Sequence, residues 1–222
     1  MKAAVIVFPG SNCDRDLAVA FRNAGFGVDM VWHKETELPA NVDVVGVPGG
    51  FSYGDYLRSG AIAARSSIIG ALKAHADRGG YALGICNGFQ VLTETGLLPG
   101  ALMRNAALKF ICKPVALDVA STNNMFTANY QEHQEVVFPV AHHDGNYVVT
   151  HEGLEELKDQ DRVAFRYTED INGSTDRIAG VLSPNRRILG LMPHPERAAD
   201  EKVGMTDGTA LFSALASAGV NA

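Results

Sequence analysis

In this 222-residue chain a turn, Gly84-Ile85-Cys86-Asn87-Gly88, lies between an apolar run at Tyr81 to Ile85 and a helical pattern, and it leaves few folds open. It matches the nucleophile-elbow pattern with Cys in place of Ser. The glycines have a physical reason to be there. A nucleophile on so sharp a turn needs neighbours without side chains, to permit a strained backbone and to let the next helix pack close to the sheet. Cys86 then stands at a helix N-terminus, where unpaired N–H groups and the macrodipole favour a thiolate. By itself the pattern is equally compatible with an ordinary strand-to-helix turn, so it needs partners.

Short β-branched runs alternate with helical patterns over the first hundred residues, which signals βαβ units around a parallel sheet. Strands are expected at Ala3 to Phe8, Val28 to Trp32, Val42 to Val47 and Tyr81 to Ile85, with helices at Asp14 to Ala24 and about Ala61 to His75. The second half reads as strands with few helices: Phe110 to Val119, Glu135 to Val140, Val163 to Tyr167, and a hairpin from Arg177 to Met192 turning at Ser183-Pro184-Asn185. A last helix is expected from Asp207 to Ala218. The fold class is therefore α/β, and with no repeat or linker in sight residues 1–222 are expected to form one domain.

The net charge of −6 disfavours a nucleic-acid partner, which requires clustered Lys and Arg. The apolar run Ala3 to Phe8 stops at Pro9-Gly10 and suits a buried first strand better than a signal peptide. No stretch approaches the roughly 20 apolar residues that cross a bilayer, so no membrane contact and a cytoplasmic location are expected. Three cysteines, Cys13, Cys86 and Cys112, show no C-x-x-C spacing; for each the plainest role is a small buried apolar residue.

Of seven histidines, His194 is set apart by its surroundings, Met192-Pro193-His194-Pro195-Glu196-Arg197, directly after an apolar strand. Prolines on both sides hold that segment extended and make a rigid mount for an imidazole. Glu196 can accept a hydrogen bond from one ring nitrogen and turn the other towards a thiol, giving nucleophile, base and orienter. The competing reading is a proline-stiffened surface loop. An oxyanion would meet the backbone N–H of Asn87, just after the nucleophile, and a second donor from the Gly49-Gly50 loop. There is no H-E-x-x-H or Cys/His ligand spacing, and the adjacent His142 and His143 project differently from a strand, so no metal is expected. Neither a phosphate-binding G-x-x-x-x-G-K-[ST] loop nor a dinucleotide fingerprint is present, which places any ATP-dependent step on another chain.

These residues resemble class I, triad-type glutamine amidotransferases, with Gly84, Cys86, Gly88 and Gln90 in the cysteine motif and His194, Pro195 and Glu196 in the late one. Longer segments, Pro9 to Asp14, Pro48 to Ala63, Cys86 to Gln90, Lys109 to Cys112, Asn172 to Ser174 and Met192 to Ala198, resemble the glutaminase subunits of phosphoribosylformylglycinamidine synthases. The resemblance spans nearly the whole chain. It implies a flavodoxin-like amidotransferase fold, a Cys86, His194, Glu196 triad, an oxyanion hole from the backbone around Gly50 and Asn87, and contact of Gln90 with glutamine. It also implies a large synthetase subunit carrying ATP and magnesium, a small third protein, no cofactor on this chain, and weak glutaminase activity until the complex forms. One departure stands out: His143-Asp144-Gly145-Asn146 replaces the family's usual Gly-Glu-Gly-Asn after His142, leaving the roles of His143 and Asp144 open. Two alternatives remain at this point, a thiol hydrolase of the DJ-1 or intracellular-peptidase group and a non-catalytic amidotransferase-like regulatory subunit.

Overall fold

The computed structural model describes residues 1–217. The first half runs β1 (Lys2–Val7), α1 (Asp14–Asn23), β2 (Gly27–Trp32), β3 (Val44–Val47), α2 (Ile68–Asp77), β4 (Tyr81–Ile85) and α3 (Asn87–Glu94). The second half runs β5 (Ala101–Met103), β6 (Ile111–Val119), β7 (Glu135–His142), β8 (Asn146–Val148), α4 (His151–Asp159), β9 (Val163–Tyr167), β10 (Ile178–Leu182), β11 (Ile188–Leu191) and α5 (Thr209–Ser217).

Nine strands form one sheet in the order β2-β1-β3-β4-β11-β10-β9-β6-β7, and β5 pairs with β8 in a small separate sheet. The pairings from β2 to β11 are parallel, and those from β11 to β7 are antiparallel. The antiparallel strands expected in the second half thus extend the same sheet. Strands β1, β3, β4 and β11 are buried along most of their length, as a sheet covered on both faces requires. α1 packs on β1 and β2, and α3 lies over β3, β4 and β11. Phe21 anchors this packing through edge-on contacts with Phe26 and with Phe212 of α5.

Chain order along the sheet reverses beside β1: the chain goes outward to β2 and then returns to β3 on the other side. Ligands in open α/β sheets bind at such a point, beyond the carboxyl ends of the strands. The segments after β1, β3, β4 and β11 therefore converge on one place.

The structure departs from the expected elements at three places. The helix expected from Ala61 begins only at Ile68: Gly60 has φ of +81°, Ala63–Arg65 is a single 3-10 turn, and Ser66 is extended with ψ of 153°. The Ser66 hydroxyl lies 3.1 Å from Tyr53 Oη, which ties this stretch to the loop after β3. Helix α4 is an addition to the second half; Thr150 caps it by accepting from Gly153 N at 3.1 Å, but only Leu157 on it is fully buried, which weakens its periodic signal. The small β5/β8 sheet is the third. The expected helix end at Ala218 lies outside the described residues.

Candidate active site

Cys86 sits where the elbow requires, with φ of 52° and ψ of −107° as the residue that caps α3. This is a strained conformation for a side-chain-bearing residue, and such strain collects at functional sites. The packing around it explains both glycines. A Cβ at Gly88 would run into the carbonyl oxygen of Val47 in β3, and one at Gly84 would run into Leu92 Cδ1 and lie 2.8 Å from Gly88 O. The close approach of α3 to the sheet leaves no room for either.

His194 follows β11, and its backbone N–H donates to Pro139 O of β7 at 2.8 Å, which fixes the extended segment between the two prolines. Its Nδ1 lies 2.6 Å from Oε1 of Glu196. Cys86, His194 and Glu196 are 5%, 1% and 6% exposed, which rules out a solvated surface loop for the Pro-His-Pro-Glu segment. Burial, the largest single influence, pulls the His194 pKa down, but the Glu196 carboxylate and the Cys86 sulfur outweigh it and raise it to about 10. His194 Nε2 has no hydrogen-bond partner among the described residues, and the Cys86 thiol donates instead to Ala141 O at 3.8 Å. The two residues are nevertheless neighbours across Gly49: a Cβ there would sit 2.7 Å from His194 Cε1 and 3.3 Å from Cys86 Cβ. The structure brings all three expected triad members together.

The Gly50 backbone has φ of +132°, and a Cβ on it would meet Asn12 N, Asn12 Oδ1 and Gly10 O at 2.7 Å, so only glycine fits. Among the described residues, neither Gly50 N–H nor Asn87 N–H has an acceptor. Unspent donors beside a thiol are what an oxyanion hole needs.

Gln90 is buried on the first turns of α3 with its amide engaged at both ends: Nε2 donates to Asp144 O at 2.7 Å, and Oε1 accepts from Asn87 Nδ2 at 2.8 Å. Asn87 Nδ2 also donates to Asp55 Oδ1 at 3.2 Å, and Asn87 Oδ1 accepts from Ser52 N at 3.3 Å, linking α3 to the loop after β3. Burial and then the Asp144 charge push the Asp55 carboxyl up to about 6. The segment after β7 is pinned from below. Asn172 Nδ2 donates to Gly145 O at 2.8 Å, Ser174 Oγ accepts from Tyr147 N at 3.0 Å, and Asn105 Oδ1 accepts from Gly145 N at 3.0 Å. His142 is buried with Nδ1 3.1 Å from Asn105 Oδ1, and burial followed by the His194 charge lowers its pKa to about 4. His143 Nε2 lies 3.2 Å from Leu108 O at the surface, and the Asp144 carboxylate accepts from Ser59 Oγ and Arg104 Nε, each at 3.1 Å. Asp144 bonds Gln90 through its main-chain oxygen.

Sequence reasoning missed the role of Cys13 in this neighbourhood. Its Sγ, a ring nitrogen of His194 and a carboxylate oxygen of Glu196 lie within 4.8 Å of one another. That donor set is of the mixed kind that zinc takes, but Nδ1 and Oε1 stand 2.6 Å apart, closer than the roughly 3.3 Å between two ligands of one tetrahedral zinc. The spacing is that of a hydrogen-bonded pair. A broad groove of about 690 Å³ opens at the other end of the sheet beside Asp43, Gly80 and Tyr81, and none of the candidate residues lines it. A cavity of about 70 Å³ beside the site is walled by Cys13, Gly50, Phe51, Phe110, His194 and Arg197. Convergence of reactive groups, more than size, marks the site.

Known proteins carry the same frame. A sequence profile of the CobB/CobQ-like glutamine amidotransferase domain matches residues 1–206. The phosphoribosylformylglycinamidine synthase subunit PurQ of Ruegeria sp. (strain TM1040) is 67% identical over 215 residues, 97% of each chain, and that of Ruegeria pomeroyi is 66% identical over 98% of each. A chain in the solved PurLQS structure from Thermotoga maritima superposes with a TM-score of 0.90 at 44% identity, covering 96% of both chains. A buried thiol on an elbow, an imidazole–carboxylate pair after the last sheet strand, and a match over almost the full length make this chain a member of the CobB/CobQ-like glutamine amidotransferase family.

Proposed function

We propose that this chain is the glutaminase subunit of a phosphoribosylformylglycinamidine synthase: it hydrolyses L-glutamine to glutamate and ammonia, and a synthetase subunit uses the ammonia with ATP to convert formylglycinamide ribonucleotide to its amidine. The observation that carries the reading is identity of 63–67% to such subunits over 97–98% of the chain, with a buried cysteine, histidine and glutamate at the strand ends. The intact His194–Glu196 pair counts against a peptidase-like hydrolase and against a subunit kept only for its surfaces. Residues 1–222 act as one glutaminase domain in the cytoplasm, and the partners are the large synthetase subunit, which holds ATP and magnesium, and a small third protein, as in the PurLQS assembly. No helix among the described residues is long and apolar enough to cross a membrane.

In the reaction, the Cys86 thiolate attacks the side-chain carboxamide carbon of glutamine, and the oxyanion is held by the N–H groups of Gly50 and Asn87. The His194 imidazolium donates its Nε2 proton to the departing ammonia, leaving a γ-glutamyl thioester on Cys86. Neutral His194 then takes a proton from water, which attacks the thioester; glutamate leaves and the sulfur is restored. Glu196 holds the imidazole in the tautomer this requires and supports its charge. Gln90 contacts the bound substrate.

The test combines a glutamine-mimicking electrophile with partner capture. Labelling of Cys86, loss of glutamine hydrolysis in Cys86→Ala and recovery of the large synthetase subunit from native extract are the expected results. Labelling at Cys13 or Cys112 alone overturns the site, and recovery of an unrelated ATP-dependent synthetase overturns the pathway.

A further inference from the structure

Three chain segments meet at Cys13, which the catalytic scheme leaves unused. It is buried just before α1, and its main-chain N–H donates to Gly49 O at 3.3 Å, in the loop that carries the oxyanion donor Gly50. Its sulfur accepts from Arg197 Nη2 at 3.1 Å, and Arg197 Nε donates to Asp16 Oδ2 at 2.9 Å, so the residue after Glu196 is tied to the first turn of α1. A Cβ at Gly49 would meet Cys13 Sγ at 3.4 Å as well as His194 and Cys86, so the thiol stands on the same wall as the triad.

Glu196 Oε1 is taken up by His194, but Glu196 Oε2 is buried and has no partner among the described residues. A buried carboxylate oxygen without a donor is costly, and the Cys13 sulfur lies within 4.8 Å of a Glu196 oxygen. The thiol has one weak acceptor, Asn12 Oδ1 at 3.7 Å, and a shift of the Cys13 or Glu196 side chain, beyond rotation of the S–H alone, brings sulfur and carboxylate into hydrogen-bond contact.

We infer that Cys13 is a positioning residue for glutamine hydrolysis: its S–H donates to the free oxygen of Glu196 while its sulfur accepts from Arg197, and this bridge fixes Glu196 and moderates its pull on His194. The inference rests on the triad proposed above. The thiol must stay protonated to play this part. Burial and then the Glu196 charge push its pKa up to about 12 against the opposing influence of Arg197, which keeps the proton in place at neutral pH. The titratable and charged groups around the His194–Glu196 pair are Cys86, His142 from β7, Cys13 and Asp16 from the start of α1, and Arg197 of their own turn.

The direction of the effect follows from charge. Removing the donor leaves more negative charge on Oε1, stabilises the imidazolium and moves the alkaline limb of the kcat profile up; a stronger donor moves it down. In Cys13→Ala, kcat for glutamine falls about tenfold, the rate equivalent of one hydrogen bond to a charged group, with KM within about twofold and the limb raised by about half a pH unit. In the nearly isosteric Cys13→Ser, kcat stays within about threefold and the limb moves the opposite way. The assays use the full chain with its synthetase partner, and thermal melts confirm folding. If alanine does not fold, the downward limb in Cys13→Ser carries the test. Equal limbs in wild type and serine variant, or a loss in alanine that serine does not restore, overturn the inference. Cys86 labelling by the glutamine mimic in every variant separates that outcome from failure of the triad itself.

Discussion

His194 Nδ1 and Glu196 Oε1 stand 2.6 Å apart with both side chains buried, although only Pro195 separates them in sequence. The contact exists because a turn after His194 folds Glu196 back to the Nδ1 edge of the ring. Glu196→Gln keeps the volume and removes the charge, and its amide can present N–H to Nδ1 and select the wrong tautomer. The expected result is a fall in kcat of about 10²- to 10⁴-fold with KM little changed, measured as glutamate release in the assembled enzyme.

Two glycines on the same wall predict opposite failures. At Gly88 the obstruction is backbone, the carbonyl oxygen of Val47, so Gly88→Ala must push α3 off the sheet and is expected to cost at least about 3 kcal/mol of stability, read by denaturant unfolding. At Gly49 the nearest atom is the His194 ring at 2.7 Å, so Gly49→Ala is expected to retain the fold while displacing the imidazole, with kcat down at least about 100-fold. A Gly88→Ala protein as stable as wild type would refute the account of the elbow.

Acid sensitivity follows from His142. Its pKa falls from 6.5 in the unfolded chain to about 4 in the folded protein, so between those values the unfolded state binds more protons and stability is lost as pH falls. His194, raised to about 10, is protonated in the fold throughout that window; its contribution is fully present below 6.5 and fades only as pH rises towards 10. Relative to His142→Gln, wild type is expected to lose up to about 3 kcal/mol between pH 7 and pH 4 in urea titrations. Parallel curves for the two proteins would count against a buried neutral His142.

Much of this site was legible in the sequence because its parts are local. Glycines around Cys86 and prolines around His194 constrain the backbone where they stand, and strand patterns on either side of each motif place both at strand ends. The parts that were not legible are long-range. Cys13 meets Arg197 across 184 residues, and Asn172 holds the loop beside Gln90 through Gly145; nothing in the periodicity of either segment announces its partner. The late start of α2 was hidden for a related reason: Gly60, with φ of +81°, packs against the Gln90–Val91 backbone of α3, a contact that the helical composition of Ala61 to His75 does not reveal. Helix α4 was missed because a helix with Leu157 as its one fully buried residue hardly differs from a polar loop.

The Gln90 amide is committed within the protein: Asp144 O accepts from its N–H, and its carbonyl accepts from Asn87 Nδ2. A substrate contact therefore has to compete with bonds already made, or use the capacity they leave. One N–H of the Gln90 amide and one lone pair of its carbonyl remain, enough to meet glutamine without breaking either link. Gln90→Leu removes that capacity and also frees the loop at Asp144, so KM for glutamine is expected to rise about tenfold or more while the Cys86–His194 chemistry, and with it kcat, changes by under about threefold. Asp144→Asn provides the control, because Gln90 bonds the main-chain oxygen: its KM should stay near wild type. A drop in kcat with KM unchanged in Gln90→Leu would instead assign Gln90 to holding the elbow through Asn87.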